Sequence, residues 1–226
     1  MPRFSRLETI NAMIEGGMVP VFYNSDLETA KKIVSACAEG GIRTMEFTNR
    51  GDRAIDIFKE LELYVKEHHP EVIMGAGSIA DAPTAALYIQ YGANFIVAPF
   101  LDEETAVLCN KRKVPYSPGC GSVTEIHRAE ALGVEICKIF PGSQVGGPDF
   151  VKSVLGPCPR TNLMPTGGVE PTEESLSAWF KAGVACVGLG SSLVPSSLGK
   201  DFDFGSITGK LLRAGDILAG IKRKRG

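Results

Sequence analysis

Only three histidines, His68, His69 and His127, occur in the 226 residues. None stands at metal-ligand spacing from another or from an Asp/Glu pair, so no metal centre is expected and the three are read as solvated. The six cysteines contain no C-x-x-C pair. In a chain of this length without a secretory signal they are expected to stay reduced, mostly as small core residues. Only Cys120, between glycines, and Cys137, beside a lysine, fall where chemistry could sit. No apolar run is long enough to span a bilayer, and residues 1–15 lack the apolar centre of a signal peptide, so a cytoplasmic location away from membranes is expected. The net charge of -2 gives no electrostatic reason to expect nucleic acid as a partner.

What is present suits one globular domain over residues 1–226, with 44% apolar and 22% charged residues. Short β-rich runs centre on residues 20–22, 44–47, 72–75, 95–97, 114–116, 136–139, 163–165 and 185–188. They are apolar and often end in Gly or Pro, as buried parallel strands do. Amphipathic segments such as 27–38, 54–67 and 173–182 lie between them, with Asp26, Asp52, Asp102 and Thr172 placed as helix caps. Eight such units predict a single (β/α)8 TIM barrel preceded by an N-terminal helix over 6–15. A doubly wound open sheet is the alternative. Closure is favoured because no G-x-G-x-x-G opens the first βα turn and the distinctive residues fall at many different strand ends. Residues 201–226 read as a C-terminal extension, a loop and a helix over 207–220, finishing in the solvated tail Lys222-Arg223-Lys224-Arg225.

Polar residues at the carboxyl ends of barrel strands face the active site. Lys138 stands out because Ile136, Cys137, Ile139 and Phe140 surround it. Desolvation would favour its neutral amine, a nucleophile toward carbonyls; alternatively it snorkels to water or pairs with Glu46. Glu46 shares an inward face with Thr44 and Thr48 by the period-two rule, as an ion-pair partner or a proton shuttle. Arg50, just past the same strand, could hold a carboxylate bidentately or lie on the surface. The ends Thr166-Gly167-Gly168 and Gly188-Leu189-Gly190-Ser191 follow the last two strands, where barrels cradle phosphate on backbone N–H groups.

The strand-end set resembles the 2-keto-3-deoxy-6-phosphogluconate (KDPG) aldolase family, which also includes 4-hydroxy-2-oxoglutarate (KHG) aldolases. The segments that carry the likeness are GIRTMEFTNR (41–50), GAGSI (75–79), VAPF (97–100), PYSPGCGSVTEI (115–126), KIFPGSQVGG (138–147) and MPTGGV (164–169). The resemblance implies a cofactor-free lyase that cleaves KDPG to pyruvate and glyceraldehyde 3-phosphate, and KHG to pyruvate and glyoxylate. It implies Lys138 as the Schiff-base lysine and Glu46 as the acid/base. Arg50 and Thr166 are implied to hold the keto-acid carboxylate and neighbouring oxygens, with Ser78 where a threonine is usual. Pro99 and Phe140 would shape the pocket, Gly167, Gly168, Gly190 and Ser191 would bind phosphate, and the assembly would be a homotrimer. Asn49, Gly51 and Ser143 depart from the family pattern. Competing readings are an aldolase for another 2-keto-3-deoxy sugar acid and a phosphosugar-binding barrel without lysine chemistry.

Overall fold

The structure is a computed structural model that describes residues 2–195, 197–199 and 201–223. Residues 224–226 of the basic tail lie outside it. The chain begins with helix α1 (Arg6–Gly16), started by a capping box between Ser5 and Glu8. Strands and helices then alternate: β1 (Met18–Phe22), α2 (Leu27–Glu39), β2 (Thr44–Thr48), α3 (Ala54–His68), β3 (Ile73–Gly77), α4 (Ala82–Gln90), β4 (Ile96–Val97) and α5 (Glu103–Arg112). The second half has β5 (Tyr116–Ser117), β6 (Gly119–Cys120), α6 (Val123–Ala131), β7 (Cys137–Ile139), α7 (Gly147–Leu155), β8 (Leu163–Pro165), α8 (Glu173–Ala182), β9 (Val187–Leu189) and α9 (Gly205–Arg223).

All strand pairs are parallel. They form a curled α/β sheet of order β5-β4-β3-β2-β1-β9 and a second sheet of order β6-β7-β8. Strands succeed one another in chain order, with the last beside the first, unlike the reversing order of a doubly wound sheet. Among the described residues nine strand pieces replace the eight expected because Pro118, which has no N–H to donate, separates β5 from β6.

Period-two alternation sorts the strand side chains. Met45, Phe47, Cys137 and Ile139 join the main core between sheet and helices. Val19, Ile73, Phe95, Val97, Ile136 and Met164 form a smaller cluster on the other face, with Ile10, Ala12 and Met13 of α1 packed onto it. The helix at the chain's end belongs to the outer layer: α9 packs on α2 and α8. Its Ile207, Leu211, Ala214 and Leu218 are buried at helical spacing, and Thr208 Oγ1 donates to Ala36 O at 2.8 Å.

Three of the four expected caps, Asp26, Asp102 and Thr172, accept from their helices' backbone N–H groups. Asp52 does not. Arg53 holds the α3 cap position in a left-handed conformation, and Ala54 N donates to Gly51 O instead, so a backbone turn replaces the side-chain cap. Asp102 accepts from Thr105 N at 2.9 Å in the loop that follows Pro99. Asp102→Ala is expected to cost about 1 kcal/mol, measured by chemical denaturation.

Candidate active site

The second strand supplies the first element of the site. Thr44, Glu46 and Thr48 point to the concave face and are buried, while Met45 and Phe47 face the helices. Glu46 is 0% exposed, and neither carboxylate oxygen has a hydrogen-bond partner among the described residues. Its side chain lies over Gly77, where a Cβ would overlap it. Glycine is therefore required at that position by the carboxylate beside it.

Lys138 occupies the middle of β7, with its neighbours Cys137 and Ile139 turned outward into the main core. It is 3% exposed, and its Nζ lies 4.8 Å from the centroid of the Phe140 ring. No ion pair within 4.0 Å joins Lys138 to Glu46 among the described residues. The two charges nevertheless influence each other. Burial holds the Lys138 amine below the usual lysine range, against the pull of Glu46, with Arg50 adding to the depression. Burial pushes the Glu46 carboxyl up, opposed by the positive charges of Lys138 and Arg50. The lysine does not snorkel: its amine stays inside.

A cavity of about 670 Å³ opens at the strand ends; Phe140, whose ring the Lys138 amine faces, lines it, while Lys138 and Glu46 themselves are not among its lining residues. Its wall brings together Arg50, Ser78, Pro99, Phe140, Thr166, Gly167, Gly168, Gly190 and Ser191, the strand-end residues singled out in the sequence. Arg50 Nε donates to Ser78 Oγ at 3.1 Å, so its guanidinium is aimed by the neighbouring strand end. Ser78 holds φ +57, uncommon outside glycine. Thr166 carries a buried hydroxyl without a partner among the described residues, and Gly188 leaves the space its side chain fills. Gly167 and Gly168 have φ +92 and +76. The loop 142–143 docks onto them through Gly142 N to Thr166 O and Ser143 N to Gly167 O. Val21, Val169, Glu170 and Ser192 also line the cavity. Val21 is the other inward position near the end of β1, a signal the strand period carried; the remaining three follow directly on the Thr166 and Gly190 ends.

Both candidate cysteines lie away from this chemistry. Cys120 and Cys137 are buried in the outward core. A contact with Cys120, together with burial, pushes the Cys137 thiol far up, which leaves it inert. Of the histidines read as solvated, His69 is half-buried with Nε2 2.9 Å from Ser35 Oγ, whereas His68 is exposed, its ring stacked on Tyr64 at 4.4 Å. His127 is exposed.

A buried amine of depressed basicity, a buried carboxyl of raised basicity and one guanidinium on a cavity wall suit attack on a keto acid, with proton transfer nearby. Comparison with known proteins agrees. The family profile described as KDPG and KHG aldolase matches residues 9–209. The chain is 33% identical over 209 residues to 2-dehydro-3-deoxy-phosphogluconate aldolase of Pseudoalteromonas atlantica, covering 92% of this chain and 94% of that one. It is 32% identical over 198 residues to the KHG/KDPG aldolase of Escherichia coli, covering 88% and 90%. The crystal structure of KDPG aldolase from Legionella pneumophila, with pyruvate captured as a covalent carbinolamine, superposes with a TM-score of 0.81 at 27% identity. That match covers 91% of this chain and 97% of the Legionella chain.

Proposed function

Because the chain belongs to the KDPG and KHG aldolase family, we propose that the buried pair Lys138 and Glu46 runs its lyase chemistry. The protein is a Schiff-base aldolase that cleaves KDPG to pyruvate and glyceraldehyde 3-phosphate. The observation that carries the residue assignment is the lysine at 3% exposure on the concave face, its amine held below the usual lysine range by burial.

In this reading the Lys138 amine adds to C2 of the keto acid. The ketone oxygen gains protons and leaves as water, and a protonated imine remains. The C4 hydroxyl then gives its proton to Glu46, C3–C4 breaks, and the bonding pair moves toward the imine nitrogen to form a neutral enamine. The aldehyde departs, the enamine takes a proton at C3, and water hydrolyses the imine to pyruvate and free amine. Arg50 and Thr166 hold the carboxylate end, and Ser78 aims the guanidinium. Pro99 and Phe140 shape the walls. Gly167, Gly168, Gly190 and Ser191 would receive the phosphate on backbone N–H groups and a hydroxyl.

The two sheets are read as arcs of one closed (β/α)8 barrel. Supporting this, Thr166 bridges Gly188, Ala185 N donates to Leu163 O, and Lys138 N donates to Pro118 O on the far side of the interrupted strand. The chain is read as one domain over 1–226, acting in the cytoplasm as a homotrimer.

The test is reduction with borohydride in the presence of pyruvate, followed by peptide mass spectrometry. An adduct on Lys138 supports the assignment. Folded protein that binds a phosphosugar but forms no adduct would replace it with a phosphosugar-binding barrel. Steady-state turnover of the two substrates tests the phosphate site, with kcat/KM for KDPG expected above that for KHG. Equal values would leave the glycine-rich end without a phosphate role.

A further inference from the structure

Thr48 ends β2 on the concave face at 0% exposure, and its hydroxyl has no hydrogen-bond partner among the described residues. A buried hydroxyl without a partner is destabilising, and most buried ones are satisfied. Valine would occupy the same space without that penalty, so the hydroxyl needs a reason.

Its position supplies one. Thr48 lies two residues beyond Glu46 on the same face and pairs with Gly77 across the β2–β3 ladder. The Glu46 side chain reaches over that same Gly77, with Cγ, Cδ and Oε1 in the space a Cβ would take there. The carboxyl is thus carried forward along the strand to the level of the Thr48 hydroxyl. Both carboxylate oxygens also lack partners among the described residues. Two buried polar groups at one level, each with unused hydrogen-bonding capacity, make a seat for one shared water. The backbone around Thr48 is independently tied, with Asn49 N on Gly77 O at 2.8 Å and Arg50 N on Thr48 O at 2.9 Å.

We propose that Thr48 is a further catalytic residue: its hydroxyl and the Glu46 carboxyl jointly hold the water that relays protons to and from the substrate. This rests on the aldolase reading and deepens it. In cleavage the C4 hydroxyl gives its proton to that water, which passes one of its own to the Glu46 carboxylate. The C4 oxygen forms its carbonyl as C3–C4 breaks and the electron pair enters the imine. In the return half, the water protonates C3 of the enamine and regains a proton from Glu46. No oxidant or reductant enters.

The test compares Thr48→Val and Thr48→Ser in the full chain. It follows exchange of the pyruvate methyl protons with D2O by NMR, KDPG turnover, the borohydride adduct and thermal stability. Thr48→Val is expected to lower both exchange and kcat roughly 10- to 100-fold, the scale of one hydrogen bond to a charged or reacting group. KM and the Lys138 adduct should persist, with Tm equal or higher, and Thr48→Ser should restore most of the exchange. A parent chain that forms no adduct would fail the aldolase reading itself. If the parent forms the adduct and Thr48→Val exchanges protons at the parental rate, only the role of Thr48 falls. Loss of stability in Thr48→Val that serine does not restore would likewise overturn it in favour of packing.

Discussion

Lys138→Ala is expected to lower KDPG cleavage on the order of 10⁶-fold, the scale of losing a covalent nucleophile, and to yield no reduced pyruvate adduct. The physical basis is the setting of the amine. Burial keeps its basicity below the usual lysine range, opposed by Glu46 and assisted by Arg50. A larger share of the amine is then neutral near pH 7. Imine formation should therefore accelerate as pH rises, with its midpoint below about pH 10.4, the ordinary lysine value. Stopped-flow or timed trapping reads that profile, and a midpoint at the ordinary value would contradict the mechanism. Stability follows with a definite sign. Between the two pKa values the folded chain binds fewer protons at this site than the unfolded one, so stability rises with pH there. The penalty from the buried amine is full below the folded pKa and gone above the unfolded one. Lys138→Met, which keeps the volume, should melt higher than the parent at neutral pH, and the gain should vanish toward pH 10. A methionine variant that melts lower would mean that the amine is better accommodated than its burial implies.

Much of this site was legible in the sequence because it is written in strand ends. The period-two pattern of residues 44–48 puts Thr44, Glu46 and Thr48 on one face, and the structure agrees because Met45 and Phe47 have a helix layer to enter. The same rule separates Lys138 from Cys137 and Ile139 and turns Cys137 away from the chemistry, into the core where Cys120 also lies. The glycine-rich ends gather at one cavity with Arg50 because parallel strands carry their carboxyl ends to one side.

What escaped the reading depends on contacts between distant residues. That Gly77 makes room for Glu46, and Gly188 for Thr166, follows from register between strands and not from either glycine's neighbours. Pro118 splits a strand that the apolar pattern placed slightly earlier, at 114–116. Asp52 looked like a cap from its position alone, yet the turn Gly51–Ala54 serves the helix first. The family match runs on to residue 209, into the start of α9, though no motif in the sequence marked that stretch. Only packing shows why α9 is there: Leu211 sits against Gly40 and Leu218 against Gly17, which ties the end of the chain to its beginning.

Glu46→Gln should slow KDPG turnover about 10²- to 10⁴-fold, the range of a lost general acid–base, while the borohydride adduct on Lys138 still forms. The two readouts separate because imine formation needs a neutral amine, whereas C3–C4 cleavage needs an acceptor for the C4 hydroxyl proton. Glutamine keeps the shape over Gly77 but cannot take that proton. Removing the negative charge also removes the influence that holds the Lys138 amine protonated, so the amine should be at least as available as before. If Glu46→Gln blocked adduct formation outright, the carboxyl would have to act in imine formation too. The pH dependence gives a second check. Burial pushes the folded carboxyl up, against Lys138 and Arg50, so the folded chain binds more protons at this site than the unfolded one between about pH 4.3 and the raised pKa. Stability attributable to Glu46 therefore falls as pH climbs through that window, and its full penalty persists above. The variant should melt higher than the parent at pH 8, with the difference fading as pH drops toward about 4.3. Higher stability with slower turnover is what a carboxyl retained for chemistry must show. A glutamine variant less stable at pH 8 would mean instead that Glu46 and Lys138 hold the fold together as a pair.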